Sequence, residues 1–188
     1  MHYINFYLAI EDDLKRLSRF IEFSENNMKA YSIETVRILL ATCSEIDVIL
    51  KELCKLHAPD SHSKKIDDYR NIIKEKIPEF VDEEITLPGH HFKSVPWEIW
   101  KTSDENPDWW RGHNKVKHQR NDYYDKASLK NTINAVAALY ICLLYYYKEI
   151  MNQNSNKNYR FDEITRLFGI GPGFIKANPD YYRAFMLV

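Results

Sequence analysis

Residues 133–147 read INAVAALYICLLYYY, and this stretch decides the fold. It has no charge and a single strongly polar residue, Asn134. A helix that is apolar around its whole circumference is buried on all sides or lies in a membrane. The run has 15 residues, short of the roughly 20 needed to cross a bilayer, so it reads as the central helix of a protein core. The pattern carries this helix from about Ser128 to Glu149.

Such a helix needs amphipathic partners, and the chain supplies them upstream. Tyr3, Phe6, Tyr7, Ile10, Leu14, Leu17 and Ile21 recur at intervals of three and four, one apolar stripe of a first helix. A second, longer helix begins after Ser32, a residue suited to N-capping. Its stripe is Val36, Leu39, Leu40, Cys43, Ile46, Leu50, Leu53 and Cys54. Asp47 falls near the middle of that stripe, where a carboxylate is costly unless a cation or a donor meets it. A third helix carries Ile66, Tyr69, Ile73 and Ile77 and stops at Pro78.

Residues 78–108, PEFVDEEITLPGHHFKSVPWEIWKTSDENPD, break the pattern with four prolines, a Pro-Gly turn signal and two tryptophans. They read as an irregular insertion holding one or two short extended pieces. Beyond the central helix, NQNSNKN reads as a linker, FDEITRLFGI as a short helix and GIGPG (169–173) as a turn. The expected architecture is all-α. It is an up-and-down helical bundle over residues 1–150, with a loop insertion, and residues 151–188 form a short appendage on the same domain.

A chain of 188 residues is long enough for one real core. Its 45% hydrophobic and 28% charged content, with five glycines and seven prolines, disfavours a disordered or loop-dominated chain and suits a helical one. The net charge of −1 excludes a protein that is basic all over, so any nucleic-acid contact must be local. Cys43, Cys54 and Cys142 are odd in number and widely spaced, and they read as reduced core residues of a cytoplasmic protein. The N-terminus has no basic leader and meets acids early, unlike a signal peptide.

One short segment departs from this neutrality. Residues 109–124 are WWRGHNKVKHQRNDYY, and their centre, RGHNKVKHQR, has four fixed positive charges, two histidines and no acid. With Asp108 as N-cap, a helix here places Trp109, Val116 and Tyr123 on one side, broadened by Trp110 and Tyr124. Arg111, Asn114, Lys115, His118 and Asp122 fall on the other. Arg111 offers a planar fork suited to phosphate oxygens. His118 belongs to the side-chain type best suited to act as a general acid or base at neutral pH. Asp122, one turn on, is placed to fix its tautomer, with Asn114 to orient and Lys115 to add charge. The same composition also describes an ordinary solvated helix face.

The sequence Arg111 to His118, RGHNKVKH, resembles the Arg, four to six residues, His motif of the HEPN superfamily. The long helix before it, ETVRILLATCSEIDVILKELCK, and the apolar helix directly after it extend the resemblance over about residues 30–150. In that family a polar residue usually follows the arginine, where this chain has Gly112. The resemblance implies a helical bundle, often a homodimer, whose two motifs meet in a cleft. It further implies a metal-independent endoribonuclease of toxin–antitoxin, phage-defence or RNA-processing systems, with Arg111 and His118 as the catalytic pair. Asp47 is the candidate supporting carboxylate from the facing helix; otherwise it is a boundary residue bonded to a tyrosine or lysine. No cofactor or metal is expected, and the expected partners are RNA, a second copy and an antitoxin or other protein. The competing reading is a non-catalytic helical interaction or regulatory module, and nucleotide binding without hydrolysis is a third.

Other signals are weaker. Cys54, His57, His62, His90 and His91 match no usual zinc-ligand spacing. The four tryptophans, Trp97, Trp100, Trp109 and Trp110, read as anchors for the insertion, with RNA stacking as the alternative. The acids of PEFVDEE read as a solvated face, with pairing to the basic segment of a second subunit as the alternative.

Overall fold

The computed structural model describes residues 2–90, 92–155, 159–167 and 173–177. The helices are α1 (His2–Leu17), α2 (Ile33–His57), α3 (Ile66–Lys76), α4 (Ile99–Thr102), α5 (Asp108–Tyr123), α6 (Leu129–Ser155) and α7 (Phe161–Leu167). Strands β1 (Ile85–Leu87), β2 (Phe92–Ser94) and β3 (Lys176–Ala177) form one small antiparallel sheet in the order β2-β1-β3. The protein is thus mostly helical, consistent with the expected all-α bundle, to which the small sheet is a minor addition. The insertion supplies β1 and β2, joined by a turn at Gly89 with φ +86°, and the C-terminal segment supplies β3.

The central helix is α6. Every residue from Ile133 to Tyr145 is buried, which is why its sequence shows no polar face. α2 lies against it and runs parallel. At one end Thr132 Oγ1 donates to the Thr35 carbonyl at 3.3 Å, and at the other His57 lies 3.8 Å from Glu149. α1 runs antiparallel to both, since Tyr3 packs on Tyr146, Tyr7 on Tyr140, and Asp13 pairs with Arg37 at the far end. No helix of the described residues is long and apolar enough to cross a membrane.

Local signals account for several boundaries. Ser32 caps α2 in a reciprocal box with Thr35, with bonds of 3.2 and 2.8 Å between side chains and backbone amides. The stripe of α1 is shifted from the expected one: Ile4 is buried, whereas Phe6 is 49% exposed and Ile21 lies beyond the helix end. α6 continues past residue 150 to Ser155, through the first part of the expected linker. The C-terminal segment is held by the core. Ile164, Ile175 and Ala177 are buried, and the Ile175 amide donates to Glu11 Oε1 at 3.0 Å. Most of the GIGPG turn lies outside the described residues.

The tryptophans anchor the insertion. Trp97, Trp100, Trp109 and Trp110 are all buried, with Trp97 4.3 Å from Trp100 and 4.9 Å from Trp109 between ring centroids. Their burial fits the anchoring role rather than stacking on RNA bases as exposed platforms. The acidic stretch is divided: Asp82 is exposed and pairs with Lys101, but Glu83 is buried and accepts from the Tyr145 hydroxyl at 2.7 Å. Burial pushes the Glu83 carboxyl above its usual range, opposed by the Tyr145 bond and Lys148.

Candidate functional site

The basic segment forms α5, and its two faces separate as the spacing predicts. Trp109, Trp110, Gly112, His113 and Val116 are buried, while Arg111, Asn114, Lys115 and His118 are exposed along one stripe. The helix starts differently from the sequence reading. Pro107 occupies the N-cap in extended conformation, so Asp108 is the first helical residue, and its carboxylate turns to Arg111. Arg111 Nη1 also donates to Glu105 Oε2 at 2.5 Å. Two carboxylates therefore hold the guanidinium at the N-terminal end of α5, and their hydrogen bonds, Asp108 foremost, raise its pKa further.

The stripe ends at His118. Gln119 has φ −141° and ψ 52°, which breaks the helical path. Asp122 is exposed beyond that kink, so it does not continue the histidine's face, and no hydrogen bond joins the two. The expected His118–Asp122 pair is corrected on this ground. Asp47 is not part of the stripe either. It is half-buried on α2 beside the Tyr69 hydroxyl of α3, which burial and then the Asp47 charge push upward. That hydroxyl is buried, and Asp47 is the carboxylate that reaches it, which fits the boundary-residue reading of Asp47. Lys115 leans over the Tyr123 ring, 4.9 Å from its centroid.

Arg111 and Lys115 line an open pocket of about 680 Å³ between α5 and the start of α6. Lys29, Lys126, Asp108, Asp125 and Asn131 complete its charged and amide lining. Four cations face two carboxylates there, Asp108 and Asp125, which gives a local positive balance within a nearly neutral chain. Sequence reasoning missed Lys29 and Lys126, because neither lies within the basic segment. The pocket forms because the 3-10 turn Tyr124–Lys126 and the Ala30–Leu129 backbone contact fold both back against α5.

Gly112 has a packing role. A Cβ there would meet the Lys126 carbonyl oxygen at 2.9 Å and Asn131 Nδ2 at 3.0 Å. Asn131 Nδ2 itself donates to that carbonyl at 2.9 Å, closing the turn. Gly112→Ala is expected to destabilise the fold by about 1–2 kcal/mol, since overpacking of about 1–3 kcal/mol outweighs a helix-propensity gain of about 1 kcal/mol. Urea unfolding measures this, and a stabilised variant would contradict the packing argument.

His113 also went unnoticed in the sequence reading. It is buried against Trp110, and its Nδ1 has no hydrogen-bond partner. Burial, reinforced by the charges of Lys117 and His118 and partly offset by Asn114, pushes it down to about 4. In the unfolded chain a histidine titrates near 6.5. The stabilising effect of a neutral His113 is therefore complete above about pH 6.5 and is lost as pH falls toward 4, a change of about 2–3 kcal/mol. His113→Leu, which retains an apolar side chain beside Trp110, is expected to flatten that part of a stability–pH curve. An unchanged curve would show that His113 takes up its proton as readily in the folded state as in the unfolded chain, which contradicts the burial argument.

The zinc alternative finds no support in the geometry. Cys54 is buried with its thiol toward the Tyr69 carbonyl, and His90 packs on Phe23. No cluster of potential metal ligands occurs among the described residues. The chain matches no protein-family model, and no curated protein or solved structure is significantly similar to it.

Proposed function

We propose that the protein is a metal-independent endoribonuclease of HEPN type, acting as a homodimer, with Arg111 and His118 as its catalytic pair. The observation that carries this reading is the exposed stripe of Arg111, Asn114, Lys115 and His118 beside a cationic pocket on one face of α5. Its resemblance to a HEPN motif makes a toxin or phage-defence role the natural setting, with an antitoxin or another protein as partner.

RNA brings its own nucleophile, the 2′-OH next to the phosphorus, so its cleavage needs no metal. The 2′ oxygen attacks, the bond to the 5′ oxygen breaks, and the products carry a 2′,3′-cyclic phosphate and a 5′-hydroxyl. His118 is suited to take the 2′ proton or to supply one to the leaving oxygen. Arg111 is suited to stabilise the charge that develops on the phosphorane oxygens. Seven residues of helix separate the two by about 10 Å along the axis. Arg111 is drawn toward Glu105 and Asp108, away from His118. A phosphate displacing those carboxylates, or the motif of a second chain, brings the pair together. The test is incubation of purified protein with RNA in EDTA, with product ends identified. Cyclic phosphate ends support the nuclease, and intact RNA contradicts it.

The Arg111 clamp also favours a second reading, a non-catalytic docking module. In that case Glu105 and Asp108 make α5 a settled surface for a protein partner, and the chain leaves RNA uncut.

A further inference from the structure

A second open cleft, of about 560 Å³, adjoins the cationic pocket and shares Asp108 and Asn131 with it. It lies between β2, the Pro96 turn and the N-terminal turns of α5 and α6, and Phe92 and Trp109 line it. On its α6 side are Asn131 and Asn134, one turn apart. Asn134 is only 8% exposed, and its Oδ1 accepts a hydrogen bond from Ser94 Oγ. That bond fixes the amide and leaves Nδ2 as a donor, with no described residue accepting from it. Asn131 is fixed the other way round. Its Nδ2 is engaged by the Lys126 carbonyl, which leaves Oδ1 as the acceptor.

The charges divide between the two cavities. The cleft is rimmed by Glu25, Glu84, Glu98 and Asp108 against Lys93 and Lys130, an excess of carboxylates that repels phosphate. The adjoining pocket has the opposite balance. A flat heterocycle with one donor and one acceptor edge suits the first, and a phosphate suits the second.

We propose that this cleft is a nucleobase pocket, so that one nucleotide of a bound RNA places its base on Asn134 and Asn131 and its phosphate by Arg111. This rests on the reading of the α5 stripe as an RNA-binding face. Asn134 Nδ2 donates to a ring nitrogen, and Asn131 Oδ1 accepts from an exocyclic amine. Buried amides and apolar walls read an unstacked base in this way. The acidic rim adds acceptors for an amino group, so adenine or cytosine is favoured over uracil.

The test is fluorescence anisotropy with labelled 2′-fluoro RNA hexamers of A, C or U, which lack the nucleophile and stay intact. Wild type is expected to bind the A or C hexamer about tenfold more tightly than the U hexamer, the scale of one good base contact. Asn134→Asp, close to isosteric, is expected to abolish that difference. Should this variant fail to fold, Ser94→Ala, which frees the amide to turn, carries the same expectation. Arg111→Ala is expected to weaken all three hexamers alike. Equal binding of the three by wild type, or discrimination that survives in the folded variants, overturns the base pocket. Binding unaffected by Arg111→Ala is instead the failure of the RNA-binding reading on which it rests.

Discussion

His118→Ala is expected to slow RNA cleavage by a factor of about 10²–10⁴, the usual contribution of a positioned general acid or base. Arg111→Ala is expected to cost about 10²–10³, the scale of removing one group that stabilises transition-state charge. Both side chains lie on the exposed face of α5, and neither belongs to the core. The variants should therefore unfold within about 1 kcal/mol of wild type, which separates a chemical defect from a folding one. Arg111→Ala also removes the two ion pairs with Glu105 and Asp108. Exposed pairs of this kind contribute about 0–1 kcal/mol, too little to mimic a large loss of activity. Cleavage rates within a factor of two of wild type in both variants would remove the chemical role assigned to the stripe.

Trp97→Ala is expected to lower the unfolding free energy by about 3–5 kcal/mol, a large part of a typical domain stability of about 5–15 kcal/mol. Trp97 has no exposed surface, and its ring touches Phe80 and Trp100 as well as Trp109 of α5. Its indole nitrogen donates to the Ala138 carbonyl of α6 at 3.4 Å. The side chain thus joins the insertion, the candidate catalytic helix and the central helix at one point. Its loss leaves a cavity at the junction that positions α5. Urea unfolding measures the effect, and a loss below about 1 kcal/mol would show that the insertion can collapse onto the gap.

Much of the fold was legible because the signals were local. An uninterrupted apolar run declared α6 as the core helix, and Ser32 declared the start of α2. The failures came from long-range partners. Nothing near Glu83 in sequence announces Tyr145, so an acid that the fold buries reads as solvated. Likewise, β3 exists because Ile85 and Thr86 of β1 are available to pair with it, and its own two residues carry no strand signal. At the candidate site, period 3.6 was enough to place Arg111, Asn114, Lys115 and His118 together. It failed at Asp122 because Gln119 is not a helix breaker by type, and the kink there comes from no residue preference that can be read in advance. Asn134 did carry a signal, as the one amide in the otherwise apolar run 133–147, and its Ser94 partner gives that signal a structural meaning.

The central claim is that the 2′-OH of RNA is the nucleophile and that α5 supplies the rest. The most direct measurement maps the cleavage site in an RNA oligonucleotide in EDTA. The assay is then repeated with a single 2′-deoxy nucleotide on the 5′ side of the scissile phosphate. The account predicts that cleavage at that bond disappears while neighbouring bonds remain open to cleavage. Cutting that persists at the deoxy position, or that stops when EDTA is added, would contradict it.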